Sequence, residues 1–176
     1  MAPHILIATL QSAFLSLCSS LVATYFTASN PPILALVTFS LLSTPPNYLW
    51  QQQVEKLLPG YTPQKIEVED GGSGVTVENR LNVTNTIMKF TFDQTVMALI
   101  NVTLFIGGVR LLQGVPLDEC LQAVKEQTIP MMFAGYKLWP AVSLLNYTVI
   151  PVKRRTLVAS VVGLGWGVFL AITASR

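Results

Sequence analysis

Five long apolar runs divide the chain, and one long polar stretch interrupts them. The runs cover residues 5–28, 31–50, 95–112, 128–150 and 156–174, and the polar stretch covers residues 59–89. As a helix the first run would be about 36 Å long, whereas the hydrocarbon core of a bilayer is about 30 Å thick. The pattern predicts an all-α integral membrane protein, a small polytopic bundle with four to five membrane-embedded helices in a single domain over residues 1–176.

Prolines and charges mark the breaks between and within these runs. Pro31 and Pro32 suit the first turn of a new helix and predict a tight antiparallel pair. Pro45-Pro46 predicts a break in the backbone hydrogen bonds of the second run. After Pro116, acidic side chains in the first turn predict an amphipathic connector at the membrane surface.

The polar stretch over residues 59–89 predicts a flexible loop outside the membrane. It holds Glu67, Glu69 and Asp70 next to the Gly71-Gly72-Ser73-Gly74 tract. Glycine and serine tracts of this kind are typical of flexible linkers. The stretch has no phosphate-binding glycine pattern.

Composition argues against a soluble enzyme. Only 11% of the residues are charged, against about 25% in soluble domains, and the first charged side chain is Glu55. A net charge of +2 does not favour nucleic acid as a partner. With one histidine and two distant cysteines, Cys18 and Cys120, the sequence offers no catalytic, cofactor or metal site. We therefore expect no enzymatic activity.

Five polar side chains lie in or beside the apolar runs, where they are candidates for the wall of a pore: Asp93, Gln94, Asn101, Lys137 and Asn146. Polar groups at membrane depth are unfavourable unless they face a partner or a water-filled path. Alternatively, Asn101 makes a hydrogen bond between helices. Lys137 either extends to the membrane surface or lies between two helical pieces separated near Pro140.

Small residues recur at every fourth position of the last run, at Ala159, Gly163, Gly167 and Ala171. Such a face lets two helix backbones approach closely in lipid. It predicts either packing inside the bundle, which we favour, or self-association between copies.

The C-terminal half carries a specific motif. Trp139-Pro140, Asn146-Tyr147, Ile150-Pro151 and Arg155 reproduce the spacing W-P-x5-N-[FY]-x2-[VI]-P-x3-R. This resembles the signature of the Mpv-seventeen / twenty-two-kilodalton peroxisomal membrane protein family, and Asp93-Gln94 and Trp166 agree with it as well. Ser143, Tyr48, Gln51 and Gly167 depart from the family pattern.

The resemblance implies a protein of peroxisomal or inner mitochondrial membranes with four main spans and additional helical pieces. We expect Asn146 to satisfy backbone carbonyls released by Pro140 and Pro151. Arg155 is expected at the headgroup level, where it would hold anionic lipid or the first turn of the loop. Trp139 and Trp166 are expected to be packing or interface anchors.

Two functions follow as hypotheses. The first is a channel-like or permeability-modulating protein for small solutes, and the alternative is a non-conducting scaffold that acts through helix association. The expected partners are the lipid bilayer, further copies of the chain and, for a channel, small solutes. We favour the peroxisomal over the mitochondrial inner membrane because the sequence shows no presequence.

Overall fold

The computed structural model describes residues 2–27, 30–67 and 75–174. In chain order these form helices α1 (Ala2–Thr27) and α2 (Ile33–Leu57), strands β1 (Tyr61–Glu67) and β2 (Val75–Leu81), helix α3 (Val83–Phe92), a π-helical segment (Asp93–Met97), and helices α4 (Ala98–Leu112), α5 (Leu117–Gly135), α6 (Trp139–Thr148) and α7 (Val152–Ala174). The prediction of an α-helical membrane protein is confirmed in this coarse form.

Three helical stretches are long and apolar enough to cross a membrane: Pro3–Thr27, Val83–Leu112 and Val152–Thr173. They contain most of the first, third and fifth apolar runs. The second run lies in α2, which continues into the charged residues Glu55 and Lys56. The fourth run is divided between α5 and α6. The structure thus supports three spans by length and composition, and a count of four to five stays a prediction.

The helices α1, α2 and α7 form one side of the bundle, with α1 packed against both others. Small side chains make this contact close. The hydroxyls of Ser12 and Ser160 lie 2.7 Å apart, and Ser19 Oγ donates to the Leu164 carbonyl at 3.0 Å. A Cβ placed on Gly167 would lie 2.7 Å from Ser19 Oγ. At Gly167, therefore, the predicted small-residue face is used for packing within the chain.

The prediction of a flexible loop over residues 59–89 was wrong for most of its length. β1 and β2 pair antiparallel from Tyr61↔Leu81 to Glu67↔Val75, so the protein is not purely helical. Val75-Thr76-Val77 is β-branched, which favours extended backbone over a loop. The glycine tract at residues 71–74 lies outside the described residues.

A single rod of 30 residues begins at Val83, well before the predicted start of the third run at residue 95. Asn82 begins it, because its side-chain oxygen accepts the backbone N–H of Asn85 at 3.0 Å. The π-helical segment then joins α3 to α4 without a break. As a result Lys89, which the sequence placed in the loop, lies inside a helix.

Three further boundaries differ from the predictions. α2 runs through Pro45 and Pro46 without ending. The predicted connector is the first half of α5, which packs along α4 and continues to Gly135. The basic residues 153–155, which fall between the fourth and fifth apolar runs, form the first turns of α7.

Candidate functional site

Three charged side chains from three helices meet at one end of the bundle. Glu55 lies in the last turn of α2, Lys89 in α3 and Arg155 near the start of α7. Lys89 Nζ is 2.8 Å from Glu55 Oε2, and Arg155 Nη1 is 2.7 Å from the same oxygen. The Lys89 side chain is 0% exposed and that of Arg155 is 4% exposed. One carboxylate therefore pairs with two buried cations.

The ring of Tyr147, on α6, completes this cluster. Lys89 Nζ lies 5.2 Å from the ring centroid, and the guanidinium carbon of Arg155 lies 5.1 Å from it. Both distances fall within the range in which an aromatic face attracts a cation. Tyr147 is 2% exposed. We call Glu55, Lys89, Tyr147 and Arg155 the charge cluster.

The start of the hairpin is fixed to the charge cluster through Gly60. Its backbone N–H donates to Glu55 Oε1 at 2.8 Å. A Cβ on Gly60 would lie 2.9 Å from Lys89 Nζ, so a side chain here would displace the ammonium group. The Tyr61 hydroxyl also donates to the Thr148 carbonyl at the end of α6. The hairpin, α2 and α6 are thus held together at this end.

A second carboxylate lies on the other side of Tyr147. Asp93 begins the π-helical segment and accepts from Ser143 Oγ at 2.7 Å, from Gln94 Nε2 at 3.0 Å and from the Tyr147 hydroxyl at 3.3 Å. In the described part of the chain no cationic side chain forms an ion pair with it. Neutral donors alone surround this carboxylate.

Several buried polar atoms around Asp93 and Tyr147 have no hydrogen-bond partner among the described residues. Three of them are side-chain amide oxygens, on Gln51, Gln94 and Asn146. Gln51 of α2 lies beside the Tyr147 hydroxyl. Asn146 shares the buried face of α6 with Ser143 and Tyr147. Because buried acceptors are rarely left unpaired, this region has the chemistry of a site for water or a polar solute.

The electrostatics of Glu55 follow from these contacts. Burial alone would raise the pKa of its carboxyl group, but hydrogen bonds from Lys89, the Gly60 N–H and Arg155 outweigh burial and lower the pKa below 4.5. Glu55 is therefore ionised at neutral pH and serves as the counter-charge of both cations.

The structure brings together three of the five residues predicted to form a polar wall. Asp93 accepts from Ser143 and Tyr147 of α6, and the Gln94 side chain donates to Asp93. Asn146 lies on the same buried face of α6 as Ser143 and Tyr147. Asn101 and Lys137 are exposed instead. Asn101 lies on an outward face of α4, and Lys137 lies in the turn between α5 and α6. The structure therefore does not bring these two to the other three, and Lys137 lies between two helical pieces, as one of the alternatives had it.

The motif residues have other roles than expected. Arg155 is 3% exposed and bound to Glu55, so the prediction that it holds lipid headgroups was wrong. Its Nε also donates to the Ile150 carbonyl at 3.2 Å, in the link between α6 and α7. Pro140 lies in the first turn of α6, where a missing N–H is tolerated.

The two motif tryptophans make local contacts. A Cβ on Gly135 would lie 3.1 Å from the Trp139 ring. The Trp166 ring stacks on the Phe169 ring, with 5.3 Å between the ring centroids. Both contacts are compatible with the expected anchoring role, which stays a prediction.

Sequence reasoning missed Glu55, Lys89, Gln51 and Ser143 as site residues. A signal existed for Lys89, since it precedes Asp93 by four positions and would share its face in a helix that begins early. Among the described residues no group of three or more His, Cys, Asp or Glu side chains could hold a metal ion.

Several known proteins are similar in sequence to this chain. PXMP2/4 family protein 3 of Dictyostelium discoideum is 27% identical over 172 residues, which cover 95% of this chain and 82% of the relative. The Mpv17-like protein of Bos taurus is 26% identical over 127 residues, covering 72% of this chain and 54% of the relative. Protein SYM1 of Kluyveromyces lactis is 25% identical over 92 residues, covering 52% and 47%.

The matches to the Bos taurus and Kluyveromyces lactis proteins span about half the length of those relatives. No solved structure matches the chain. The model of the Mpv17 / PMP22 family matches residues 110–171, which contain the whole W-P-x5-N-[FY] motif and the Tyr147 and Arg155 side chains of the charge cluster. Together with the relatives that align outside this segment, this match supports membership of the chain in the Mpv17 / PMP22 family.

Proposed function

We propose that this protein lets small solutes cross an organelle membrane, along a path lined by Asp93, Gln94, Ser143 and Asn146. The family membership supports an organelle membrane, and we favour the peroxisomal membrane over the mitochondrial inner membrane. The path runs inside one chain, between the π-helical segment and α6.

One observation carries the proposal. The amide oxygens of Gln51, Gln94 and Asn146 are buried without partners in the described residues, and each comes from a different element. Inside a membrane bundle such acceptors are unfavourable unless water or a polar solute donates to them. Two residues assigned to a pore wall by sequence analysis, Gln94 and Asn146, are among these buried acceptors without partners, and this supports the proposed path.

The charge cluster closes this path at its hairpin end. Lys89 and Arg155 face the Tyr147 ring, and Glu55 holds both cations in place. A conducting state requires Tyr147 to move, because its hydroxyl binds Asp93 while its ring contacts the cations. We expect the described conformation to be the closed one.

Single-channel recording in planar bilayers tests the proposal. Purified protein should give discrete conductance steps, and Asn146→Leu should lower the unitary conductance because it removes a polar group from the path. Lys137→Leu is the matched control, since Lys137 is exposed, and it should leave the conductance unchanged. Silence from protein shown to be inserted, or equal conductance in wild type and Asn146→Leu, would contradict the proposal.

A second candidate is a non-conducting scaffold. The observation in its favour is that nothing in the described chain lies within 4 Å of a Cβ placed on Gly163 or on Gly165. This part of α7 is open to another helix. Chemical cross-linking in native membranes should then give oligomers that Gly163→Leu abolishes.

A further inference from the structure

A groove runs along the outer side of α2 at the end of the helix that leads to the hairpin. Its volume is about 430 Å³, and six residues of α2 line it: Pro46, Leu49, Trp50, Gln52, Gln53 and Lys56. The Trp50 ring packs on Phe92 of α3, with 5.4 Å between the ring centroids, so the groove is supported by a neighbouring helix.

The polarity of the groove changes along its length. Pro46, Leu49 and the Trp50 ring form the apolar part, and Gln52, Gln53 and Lys56 form the polar part. At 1.5 Å per residue the ten steps from Pro46 to Lys56 cover about 15 Å. An apolar stretch, then amide donors, then a cation is the order of complementary groups for an acyl chain, a glycerol ester region and an acidic headgroup.

The position of the groove along the bundle also fits this order of apolar, amide and cationic groups. Lys56 neighbours Glu55, which contacts Lys89 and Arg155 near the beginnings of the two apolar stretches Val83–Leu112 and Val152–Thr173. With these two stretches across a bilayer, Lys56 would lie at the membrane surface and Pro46 would lie deeper. The apolar part of the groove would then face the acyl region of one leaflet.

Two groups in the groove have no partner within the described residues. Lys56 is exposed and forms no ion pair there. The indole N–H of Trp50 is buried and lacks an acceptor. Buried indole N–H groups usually find an acceptor, and an ester carbonyl or a phosphate oxygen is one. The Lys56 ammonium group can therefore bind an anion, and the Trp50 N–H can donate to an acceptor of the same ligand.

We propose that this groove binds one anionic glycerophospholipid. Lys56 holds the acidic headgroup, Gln52 and Gln53 donate to phosphate or ester oxygens, and an acyl chain lies along Leu49 and Pro46. The bound lipid would cover the α2 surface directly outside the charge cluster. The proposal is independent of conduction and holds for a channel or for a scaffold.

Quenching of Trp50 fluorescence by brominated lipid tests whether the groove binds an anionic phospholipid. Trp139→Phe and Trp166→Phe leave Trp50 as the single tryptophan, and this protein is reconstituted in phosphatidylcholine vesicles. A small fraction of the lipid is then replaced by phosphatidylglycerol with brominated acyl chains or, in parallel, by phosphatidylcholine with the same chains. Bromine quenches only at short range, so the signal reports lipid at the groove.

We expect phosphatidylglycerol to be preferred about five-fold, which corresponds to the roughly 1 kcal/mol that one lysine near an acidic membrane surface contributes. Lys56→Gln should abolish this preference, and Lys56→Arg should retain it. Lys153→Gln is the control, because Lys153 is an exposed lysine at the same end of the bundle and lies outside the groove; it should keep the preference.

Either of two results would overturn the proposal. The first is equal quenching by both brominated lipids, including the absence of quenching by either. The second is a preference that survives Lys56→Gln or that Lys153→Gln removes equally. Far-UV circular dichroism of each variant verifies that the helices have formed, and Lys56→Arg separates loss of charge from loss of fold.

Discussion

Lys89 Nζ donates to Glu55 Oε2 at 2.8 Å, and this bond joins α3 to the last turn of α2 across 34 positions of sequence. The ammonium group is fully buried, so it has to be neutralised within the protein. Arg155 binds the same carboxylate oxygen from α7. One glutamate therefore determines how three helices meet.

Replacing Glu55 by Gln should strongly destabilise the protein. Two buried cations would lose their counter-charge, and removing one partner of a buried ion pair costs about 3–5 kcal/mol. A lowered midpoint of thermal unfolding in detergent would show this. Glu78→Gln is the control, because Glu78 pairs with Arg80 at 3.9 Å on the exposed hairpin, where a pair contributes below about 1 kcal/mol. Similar losses in both variants would contradict the assignment.

The same carboxyl group should make stability depend on pH in the acid range. The folded state holds the pKa of Glu55 below 4.5, so the unfolded state binds the proton more readily. This contribution is complete above the ordinary pKa and is lost as the pH falls through the lower, folded-state value. Between about pH 6 and about pH 3, the wild type should lose more stability than Glu55→Gln. Parallel curves of unfolding midpoint against pH would exclude this role.

The contributions of the Tyr147 ring and of its hydroxyl to stability should be separable. Tyr147→Phe keeps the face that both cations contact and removes only the hydroxyl, which donates to Asp93 at 3.3 Å and lies beside Gln51, so it should cost about 1 kcal/mol. Tyr147→Leu also removes the aromatic face and part of the packing, and should cost about 2–4 kcal/mol. Denaturant unfolding of the two variants side by side measures the difference. Equal losses would mean that the cations do not depend on the ring.

Two glycines of α7 should respond differently to the same substitution. Gly167→Ala places a Cβ 2.7 Å from Ser19 Oγ and disturbs the bond from Ser19 to Leu164, so a loss of about 1–3 kcal/mol is expected. Gly163→Ala meets open space and should be neutral or slightly stabilising, since alanine favours a helix. Unfolding midpoints of both variants test this. Equal destabilisation would show that Gly163 is also packed.

The spanning helices were the most predictable part of the fold. α1 and α7 begin and end within a few residues of uncharged runs, because lipid requires continuous apolar surface and internally bonded backbone. The hairpin was missed because its pairing depends on register between segments on either side of the glycine tract. The early start of α3 was missed although Asn82 is a favoured N-cap residue.

The candidate site was predictable only in part. Asp93, Gln94 and Asn146 stand out because polar groups are rare at membrane depth. Glu55 and Lys89 do not, since a charge beside a polar stretch ordinarily faces water. Their pairing arises from tertiary packing, which brings α2 against α3. The spacing of the two residues in the sequence does not predict this contact.

The π-helical segment at residues 93–97 changes which side of the long helix faces the rest of the bundle. A π-bulge amounts to one additional residue, which advances every later side chain by about 100° around the axis. Before the segment the rod faces α6 and the end of α2, and after it the rod faces α5 and the first half of α2. Deleting one residue there would leave the span long enough to cross the bilayer while rotating one half relative to the other. A single extra residue thus lets one continuous helix match two different sets of neighbours.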